Sequence, residues 1–497
     1  MLLASLLDSL LIKQVSGDTD KVITGITVDS RKVKPGNLFI CLKGFQADGH
    51  RFACDAISNG ATALIVETEI KDVPSSITLV KVPDTRRAMA VLSDFYYEQP
   101  SKQLRLIGVT GTNGKTTTTH LIHNILNCSG RKTGLIGTIH MICGDYCEKT
   151  VNTTPEAIDL QRYLHKMVDD GAQYAVLEVS SHALAMGRVR GVDFNTAVFT
   201  NLSHDHLDYH QSMTEYARSK EKLFSQLGNA YGSDSKYAVL NVDCETSTLL
   251  AEATTAQVIR YGILNEADVR GRYIRLHPEG TDFVVETFKG TFQLHLNIPG
   301  MFNVYNALAS ISACIAENIP LEQIKEGLES FKGVSGRFQP VLAGQDFNVI
   351  VDYAHNPDGL ENALKTAREF TSGRLLCVIG CEGDRDHLKR PIMARIASRY
   401  SDIAIFTSDN TRSEDPELII KQMVDGVESG LTNRYVTIVD RKDAIRYALE
   451  QATKANDCVI IAGKGHETHQ IVKNVAISFN DIEVAEELIR HKLVKTR

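Results

Sequence analysis

The chain has 497 residues, more than one ordinary domain holds, so we expect two to four domains. Hydrophobic residues make up 43% of the sequence, which is enough to fill several cores and excludes a disordered chain. The net charge of −7 argues against broad binding to nucleic acid or to anionic membranes, so we expect neither as a partner.

The first residues, MLLASLLDSLLIKQ, are apolar enough to suggest a signal peptide. They lack a basic start, Asp8 interrupts the apolar run and no cleavage site of small residues follows, so the pattern favours an amphipathic helix. No later apolar run is long enough to span a bilayer. The ten cysteines are scattered and complete no four-ligand zinc spacing, which predicts reduced, mostly buried thiols in a cytoplasmic protein.

Residues 1–98 alternate short apolar runs with turns, which predicts a small α/β domain. We expect strands at Ile23–Asp29, Leu38–Leu42 and Ala63–Val66. Pro35-Gly36 and Asp48-Gly49 are typical of the turns between such strands. The polar stretch YYEQPSKQLR that follows is typical of a linker.

Residues 99–334 begin with an apolar strand, Leu104–Thr110, that leads into a glycine-containing loop and then a helix from about Thr116 to Cys128. Further apolar strands are predicted at Tyr174–Val179 and Thr196–Thr200. This alternation favours a mostly parallel sheet covered by helices.

Residues 335–497 follow the segment GVSGRFQP and again alternate apolar runs with helical patterns. This pattern predicts a second doubly wound, Rossmann-like sheet. Its strands are expected at Val349–Val351, Leu375–Ile379, Ile403–Thr407, Val436–Val439 and Val459–Ala462. The fold class predicted for the whole chain is therefore α/β, with three domains.

The loop GTNGKTT is a candidate phosphate-binding site. Gly111 and Gly114 let successive backbone N–H groups point at phosphate oxygens, and the following helix adds its positive N-terminal end. Lys115 offers a charge to the terminal phosphates, and Thr116 offers a hydroxyl to Mg²⁺. The usual spacing places glycine where this chain has Val109, so a plain glycine turn is the alternative.

Two later stretches carry candidate metal ligands. Glu178 ends an apolar strand, where a carboxylate can face the phosphate loop and bind magnesium. The stretch SHDHLDYH places three histidines and two aspartates after another strand, but no cysteine or glutamate completes a standard zinc spacing, and solvated loop histidines are the alternative. Composition alone indicates that Lys220, on the helix that follows, is a surface lysine.

Four polar turns follow strands of the third segment. They are YAHNP with His355 and Asn356, GCEGDRDHLKRP with Arg390, TSDNTRSEDP, and AGKGHETHQ. Ligands of open α/β sheets bind at the carboxyl ends of the strands, so these turns together predict a binding site.

At this point the chain resembles a known family. GVTGTNGKTT, EVSSHAL, TNLSHDHLDYH, MFNVYN, DYAHNPDGL and AGKGHE occur in this order in the Mur ligases of peptidoglycan synthesis. The N-terminal VDSRKVKPGNLFICLKGFQADGHRF resembles the form in members that add the third peptide residue. In that family the loop reads Gly-Thr-Asn-Gly-Lys-Thr-Thr, so the family pattern does not require a glycine at the position of Val109.

The resemblance implies an ATP-dependent ligase that joins meso-diaminopimelate to the D-glutamate side-chain carboxylate of UDP-N-acetylmuramoyl-L-alanyl-D-glutamate through an acyl phosphate. Implied cofactors are ATP and Mg²⁺, the implied partners are these small molecules, and a monomer is expected. Residues 1–98 would bind the UDP-sugar, 99–334 the ATP and 335–497 the amino acid. An L-lysine-adding sister ligase, a folylpolyglutamate synthase and a non-catalytic nucleotide-binding module are the alternatives.

The resemblance also implies roles for individual residues. ATP would contact Gly111, Thr112, Asn113, Gly114, Lys115, Thr116, Thr117, Asn303, Arg337 and His355. The UDP-muramoyl dipeptide would contact Ser30, Phe45, Gln46, Ala47, Thr153, Thr154, Ser180 and Arg188. Magnesium would be served by Thr116, Glu178, His206 and Lys220, and the implied catalytic set is Lys115, Glu178, His206 and Lys220.

In this family the lysine that matches Lys220 is carbamylated, which replaces an ammonium that would repel Mg²⁺ by an anionic oxygen ligand. The diaminopimelate site would comprise Arg390, Asp409, Asn410, Thr411, Arg412, Gly463 and Glu467. Residues 409–412 are similar to the Asp-Asn-Pro-Arg motif of the diaminopimelate-adding members, with Thr411 in place of proline. The alternative for Arg412 is an ion pair with Glu414 or Asp415 on a solvated turn.

Overall fold

The computed structural model describes residues 1–44, 47–228 and 235–496. Phe45 and Gln46, two of the expected dipeptide-binding residues, lie outside the described residues. The described residues form three separate β-sheets, each packed with helices, and a two-stranded hairpin. This arrangement confirms the predicted α/β fold class. The domain boundaries at residues 98 and 334 remain a prediction.

The first sheet lies between Gln14 and Lys81 and has the strand order β1-β5-β4-β3-β2, parallel except for β1. Leu3, Leu6 and Leu7 bury one side of the first helix, as the amphipathic pattern predicts. The strand predicted at Ile23–Asp29 is shorter, because Asp29 instead caps a 3-10 turn at Ser30. The elements are β1 (Gln14–Ser16), β2 (Gly25–Thr27), β3 (Asn37–Ile40), β4 (Ala61–Val66), β5 (Thr78–Lys81), α1 (Leu3–Leu7), α2 (Ala53–Ser58) and α3 (Thr85–Tyr96).

The second sheet has eleven strands among the described residues, in the order β16-β15-β14-β13-β12-β11-β6-β10-β7-β8-β9. Its strands are β6 (Arg105–Thr110), β7 (Thr133–Ile136), β8 (His140–Cys143), β9 (Tyr146–Lys149), β10 (Tyr174–Glu178), β11 (Thr196–Phe199), β12 (Tyr237–Asn241), β13 (Gln257–Gly262), β14 (Val269–His277), β15 (Gly280–Thr287) and β16 (Gly290–Leu296). Its helices are α4 (Lys115–Cys128), α5 (Ala157–Asp169), α6 (Ser181–Met186), α7 (Leu207–His210), α8 (Met213–Ser225), α9 (Thr246–Ala253), α10 (Met301–Ala316) and α11 (Leu321–Glu329).

The middle of this sheet is parallel, as predicted, from β14 through to β7. Both ends are extended by antiparallel strands, β15 and β16 on one side and β8 and β9 on the other. The sequence analysis did not predict these extensions. Their strands are partly exposed, so they lack the continuous apolar run of a strand that is buried on both faces.

Strand β6 lies between β10 and β11, and this position fixes the site. Glu178 at the end of β10 is in register with Val109, and Phe199 at the end of β11 is in register with Thr110. After β6 the chain forms β7 and β10 on one side of it and then β11 and β12 on the other. The strand order therefore reverses at β6, and α/β sheets bind ligands at such a point.

The third sheet has the order β17-β18-β22-β19-β20-β21 and is parallel except for β17. All five predicted strands are present. Its elements are β17 (Gln339–Pro340), β18 (Asn348–Asp352), β19 (Leu375–Ile379), β20 (Ile403–Phe406), β21 (Tyr435–Thr437), β22 (Cys458–Ala462), α12 (Pro357–Phe370), α13 (Lys389–Tyr400), α14 (Pro416–Val424), α15 (Arg441–Gln451) and α16 (Asp481–Thr496). A separate hairpin of β23 (His469–Val472) and β24 (Val475–Ser478) follows β22 and was not predicted.

None of the helices in the described ranges is both long and apolar enough to cross a membrane. All ten cysteines are free thiols, and six of them are buried.

A buried ion pair joins the starts of α15 and α16. The guanidinium of Arg441 donates to both carboxylate oxygens of Asp481 at 2.8 and 2.7 Å, and both side chains are fully buried. We expect Asp481→Ala to lower the free energy of unfolding by about 3–5 kcal/mol, because it leaves a buried guanidinium without its anion. Urea titration measures this loss.

The matched control is Glu487→Ala, which removes the acid of the exposed Lys442–Glu487 pair on the same two helices. An exposed pair contributes about 1 kcal/mol or less. Equal losses of stability in the two variants would contradict the importance assigned to the buried pair.

Candidate active site

The phosphate loop connects β6 to α4 with no room for side chains at two positions. A Cβ on Gly111 would lie 1.8 Å from Thr200 Oγ1, and one on Gly114 would lie 2.4 Å from Asn306 Oδ1. Both glycines have positive φ, at +154° and +88°. Val109, the departure from the usual spacing, lies fully buried within β6 and does not line the loop.

Lys115 and Thr116 begin the helix after the loop. The Lys115 ammonium donates to the carbonyl oxygens of Gly111 and Thr112, each at 2.8 Å, and burial lowers its pKa. The Thr116 hydroxyl donates to Glu178 Oε2 at 2.9 Å and accepts from Arg337 Nη2 at 2.9 Å. The structure therefore brings a hydroxyl and a carboxylate to the same point, and both are ligands that Mg²⁺ prefers.

Glu178 is fully buried and held in a fixed orientation. Its Oε1 accepts from the backbone N–H of Thr138 at 2.8 Å, and its Oε2 accepts from the Thr138 hydroxyl at 3.0 Å. Sequence reasoning missed Thr138, which lies in a loop without a charged neighbour that would signal its role.

The histidine-rich stretch does not converge on a single point. His204 contacts Asp386 at 3.3 Å, and His210 contacts the hydroxyl of Ser181 at 2.9 Å. His206 lies near Asp205, with its Nε2 at 3.7 Å from the carboxylate, and burial lowers its pKa so that the ring is neutral and able to bind a metal. A zinc site built from all three histidines is therefore not supported.

Asp205 links the second sheet to the third. Its carboxylate lies 3.8 Å from His355 Nε2 and accepts from Asn356 Nδ2 at 3.0 Å. Asn356 also donates to Asn113 Oδ1 of the phosphate loop at 3.0 Å. Asp205 and Asn356 were not assigned roles from the sequence, because their contacts join segments about 150 residues apart.

Lys220 is 1% exposed, so the interpretation as a surface lysine is wrong. Its Nζ lies 4.4 Å from the centre of the Tyr216 ring, and no acidic side chain in the described ranges forms an ion pair with it. Burial, together with the charge of Lys115, holds the pKa of Lys220 well below its usual value. The amine is therefore neutral at a pH where a surface lysine is charged.

A cavity of about 380 Å³ lies beside the phosphate loop, between the second and third sheets. Of the residues expected to bind ATP, Asn113, Gly114, Thr117, Arg337 and His355 line it. Asn303 does not line it: this side chain is buried, donates to the Pro299 carbonyl and accepts from Asn306, which itself lines the cavity. Gly111, Thr112, Lys115 and Thr116 form the loop next to it.

Four of the eight residues expected to bind the dipeptide lie close to Glu178. The Thr154 hydroxyl donates to the Glu178 carbonyl at 2.7 Å and accepts from the Ser180 N–H at 3.0 Å. Arg188 donates to the Thr154 carbonyl at 3.0 Å, and Thr153 accepts from Thr138 at 3.2 Å.

Ser30 and Ala47 lie in the segments that connect the strands of the first sheet. In the described part of the chain, no hydrogen bond joins either of them to the Thr154 group. Ser30 accepts instead from Asn59 through its carbonyl, and Ala47 accepts from Gly44.

A polar network lies at the carboxyl ends of β20 and β22. Asn410 donates to Glu467 at 2.8 Å, and Lys464 donates to Glu467 at 2.7 Å and to Asn410 at 3.1 Å. Asp409 lies 3.8 Å from Lys464, and a side chain on Gly463 would strike Asp409. The structure therefore brings four of the expected amino-acid-binding residues together.

Lys464 is the member of this network that sequence reasoning missed. It is fully buried and also donates to the His469 carbonyl at 2.8 Å. Its position at the end of an apolar strand was the available signal, since ligands of open α/β sheets bind at the carboxyl ends of the strands.

The two arginines expected to bind diaminopimelate, Arg390 and Arg412, have different surroundings. Arg390 is fully buried, and its guanidinium donates to both Glu414 oxygens at 2.8 Å and to Gln422 at 2.7 Å. Arg412 donates to Glu382 at 2.9 Å and keeps a quarter of its side chain exposed. The alternative that pairs Arg412 with Glu414 or Asp415 is wrong, because Arg390 takes Glu414.

Thr411 precedes Arg412 in the same loop and is 1% exposed. Its hydroxyl has no hydrogen-bond partner among the described residues. A Cβ on Gly383 would lie 1.9 Å from the Thr411 carbonyl oxygen, so the loops that contain Gly383 and Thr411 pack directly on each other.

Three family signatures match the chain. The Mur ligase family, catalytic domain, matches residues 22–97, the Mur ligase middle domain matches 109–314, and the Mur ligase, glutamate ligase domain, matches 336–465.

The similar proteins match over nearly the whole chain. A UDP-N-acetylmuramoyl-L-alanyl-D-glutamate–2,6-diaminopimelate ligase of Bacillus licheniformis is 49% identical over 480 residues, 96% of this chain and 97% of that protein. The ligase of the same name from Geobacillus thermodenitrificans is 50% identical over 471 residues, 95% of each chain. A solved structure of a ligase of this name has 34% identity and a TM-score of 0.68, and covers 98% of this chain and 99% of that one. By these matches the chain belongs to the Mur ligase family.

Proposed function

We propose that this protein is the ATP-dependent ligase that adds meso-diaminopimelate to UDP-N-acetylmuramoyl-L-alanyl-D-glutamate in peptidoglycan precursor synthesis. One observation carries the proposal. The phosphate loop borders a cavity that His355 and Arg337 also line, and Glu178 contacts Thr116 at the end of that loop. This arrangement suits transfer of a phosphoryl group to a substrate held between sheets.

The substrate carboxylate is a poor electrophile and must be activated. One of its oxygens attacks the γ-phosphorus of ATP, the bond to the β–γ bridging oxygen breaks, and ADP leaves. The amine of the amino acid then attacks the carbonyl carbon, and inorganic phosphate leaves as the amide forms and the nitrogen loses a proton. The loop N–H groups and Lys115 stabilise the negative charge on the transferred group.

The residues present fit magnesium. Thr116 and Glu178 lie in contact, His206 is neutral, and Lys220 is buried without an ion-pair partner in the described ranges. We propose that these four hold Mg²⁺, with Lys220 as a carbamate that supplies an anionic oxygen. Bound magnesium would neutralise charge on the phosphates.

The third sheet supplies the selectivity for the amino acid. Meso-diaminopimelate carries a second carboxylate where L-lysine has only hydrogen, so its site needs a cation, and a guanidinium fork suits a carboxylate. The Arg412 Nε is buried and has no hydrogen-bond partner among the described residues, which leaves a donor for this carboxylate. Glu467 and Asp409 would face the distal ammonium.

The decisive experiment measures product formation by the purified protein with UDP-N-acetylmuramoyl-L-alanyl-D-glutamate, ATP, Mg²⁺ and a panel of amino acids. We expect kcat/KM to be highest with meso-diaminopimelate. Equal or better use of L-lysine would overturn the amino-acid assignment. ATP-dependent product with a folate substrate alone would favour a folylpolyglutamate synthase.

Arg412→Ala should lower kcat/KM for meso-diaminopimelate by a factor that corresponds to about 3–5 kcal/mol, because it removes the charge partner of a buried carboxylate. Arg412→Lys keeps the charge and loses the fork, so its loss should be intermediate. The matched control is Arg385→Ala, since Arg385 also lies near Glu382, at 3.8 Å, but is half exposed. An equal effect of the Arg385 and Arg412 variants would contradict the role of Arg412.

A further inference from the structure

Three side chains of metal-ligand type meet on the outer antiparallel strands of the second sheet. They are His277 at the end of β14, Asp282 in β15 and His295 in β16, with ligand atoms all within 4.8 Å of one another. No other group of three or more such residues is found in the part of the chain that the structure describes.

The strand register explains how they meet. Asp282 and His295 are directly opposite each other across β15 and β16. His277 is opposite Gly280, which has no side chain and lies on the same face as Asp282. The short turn between His277 and Gly280 keeps the His277 ring near Asp282, and the rings of His277 and His295 stack with their centres 5.6 Å apart.

The distances suit one shared ion. His277 Nε2 lies 3.2 Å from Asp282 Oδ2, and His295 Nδ1 lies 2.8 Å from Asp282 Oδ1. Ligand atoms about 2.0–2.1 Å from a tetrahedral zinc ion are about 3.3 Å from one another. Small side-chain rotations would therefore place the three groups around one ion.

A second carboxylate can orient one of the ligands. His277 Nδ1 lies 3.4 Å from Glu279 Oε2, so a proton on Nδ1 can be donated to Glu279. This tautomer leaves the lone pair of Nε2 free on the side of Asp282. Metal-binding histidines usually have such a carboxylate behind them.

We propose that His277, Asp282 and His295 form a site for a divalent transition metal such as Zn²⁺. Two imidazole nitrogens and one carboxylate suit zinc and its neighbours rather than magnesium, which takes oxygen ligands. The side chains of Asp282 and His295 are about half exposed, which leaves water a place as a further ligand.

This site is distinct from the candidate active site. In the strand order, β14, β15 and β16 are four to six positions from β6. At about 4.8 Å per strand, the metal site lies roughly 20 Å or more from the phosphate loop. Pro278 and Glu279 border a different cavity, of about 610 Å³, next to the segment that leads into the third sheet.

Calorimetric titration of the full-length, metal-free protein with ZnCl₂ tests the proposal. We expect the wild type to bind one more equivalent of Zn²⁺ than His295→Ala, and Asp282→Asn to weaken that binding at least tenfold. Any zinc bound at the phosphate loop is common to all variants and cancels in the difference. His491→Ala, which removes an exposed histidine on α16, is the matched control and should bind like the wild type.

Unchanged ATP-dependent ligase activity with magnesium shows that each variant is folded, since none of these residues lies in the catalytic machinery. If His295→Ala fails this check, His295→Gln, which keeps a side chain of similar size, replaces it. The same stoichiometry and affinity in the wild type and in the folded variants would overturn the proposal. The three side chains would then be a hydrogen-bonded surface group only.

Discussion

Lys115→Ala should remove nearly all turnover while the protein stays folded. An ammonium has three N–H donors, and in Lys115 two of them go to the carbonyls of Gly111 and Thr112, so one remains for a phosphate. Removal of a single group that stabilises transition-state charge typically costs about 10²–10³ in kcat. We expect a loss at the upper end, measured as phosphate release with all substrates present.

Lys102→Ala is the control for this variant, because Lys102 is an exposed lysine whose ammonium donates to the Gln99 side chain, outside the loop. It should keep full activity. Lys115→Arg should remain severely impaired, since the planar guanidinium cannot take the place of a compact ammonium inside the loop. Near-normal phosphate release by Lys115→Ala would show that the loop does not bind the transferred phosphate.

Lys220→Ala should also be nearly inactive, for a different reason. Burial lowers the pKa of the amine, which favours its neutral form, and only a neutral amine can react with CO₂ to form a carbamate and release a proton. We propose that this carbamate holds magnesium, so loss of the side chain removes a metal ligand. A loss of about 10³-fold or more in kcat is expected, and short carboxylic acids should restore part of it because they replace the missing oxygens.

Lys222→Ala is the matched control, because Lys222 lies two residues further along α8 and is exposed. It should leave activity unchanged. The modification itself is checked by carbon-13 NMR after addition of labelled bicarbonate: the wild type should show a carbamate signal that Lys220→Ala lacks. A fully active enzyme with an unmodified amine at residue 220 would refute this role.

Local sequence pattern determined much of this protein. The largely apolar run at Leu104–Thr110 and the continuous apolar runs at Leu375–Ile379 and Val459–Ala462 predicted central parallel strands, because a strand buried on both faces is largely apolar. The strand, glycine loop and helix around residue 111 predicted the position of Lys115 and Thr116. Glu178 at a strand end was predicted to face them, and it contacts Thr116 in the structure.

Other features were decided only by the tertiary structure. Lys220 lies in the polar sequence of α8, with Arg218 and Lys222 on either side, and nothing local distinguishes it from a surface lysine. Its burial results from packing against segments far away in the chain. The same holds for Asp205, whose contacts with His355 and Asn356 join two sheets.

The pairing of charges was likewise settled by packing. Arg412 could have paired with Glu414, two residues away, but the fully buried Arg390 takes both oxygens of Glu414 and leaves Arg412 to Glu382. The local sequence pattern determines whether a segment forms a strand or a helix and where it ends. Burial and ion pairing depend instead on which side chains from distant parts of the chain lie next to each other in the fold. The sequence therefore predicted the sheets and the loop, and the packing of the sheets on one another selected the partners of each charged group.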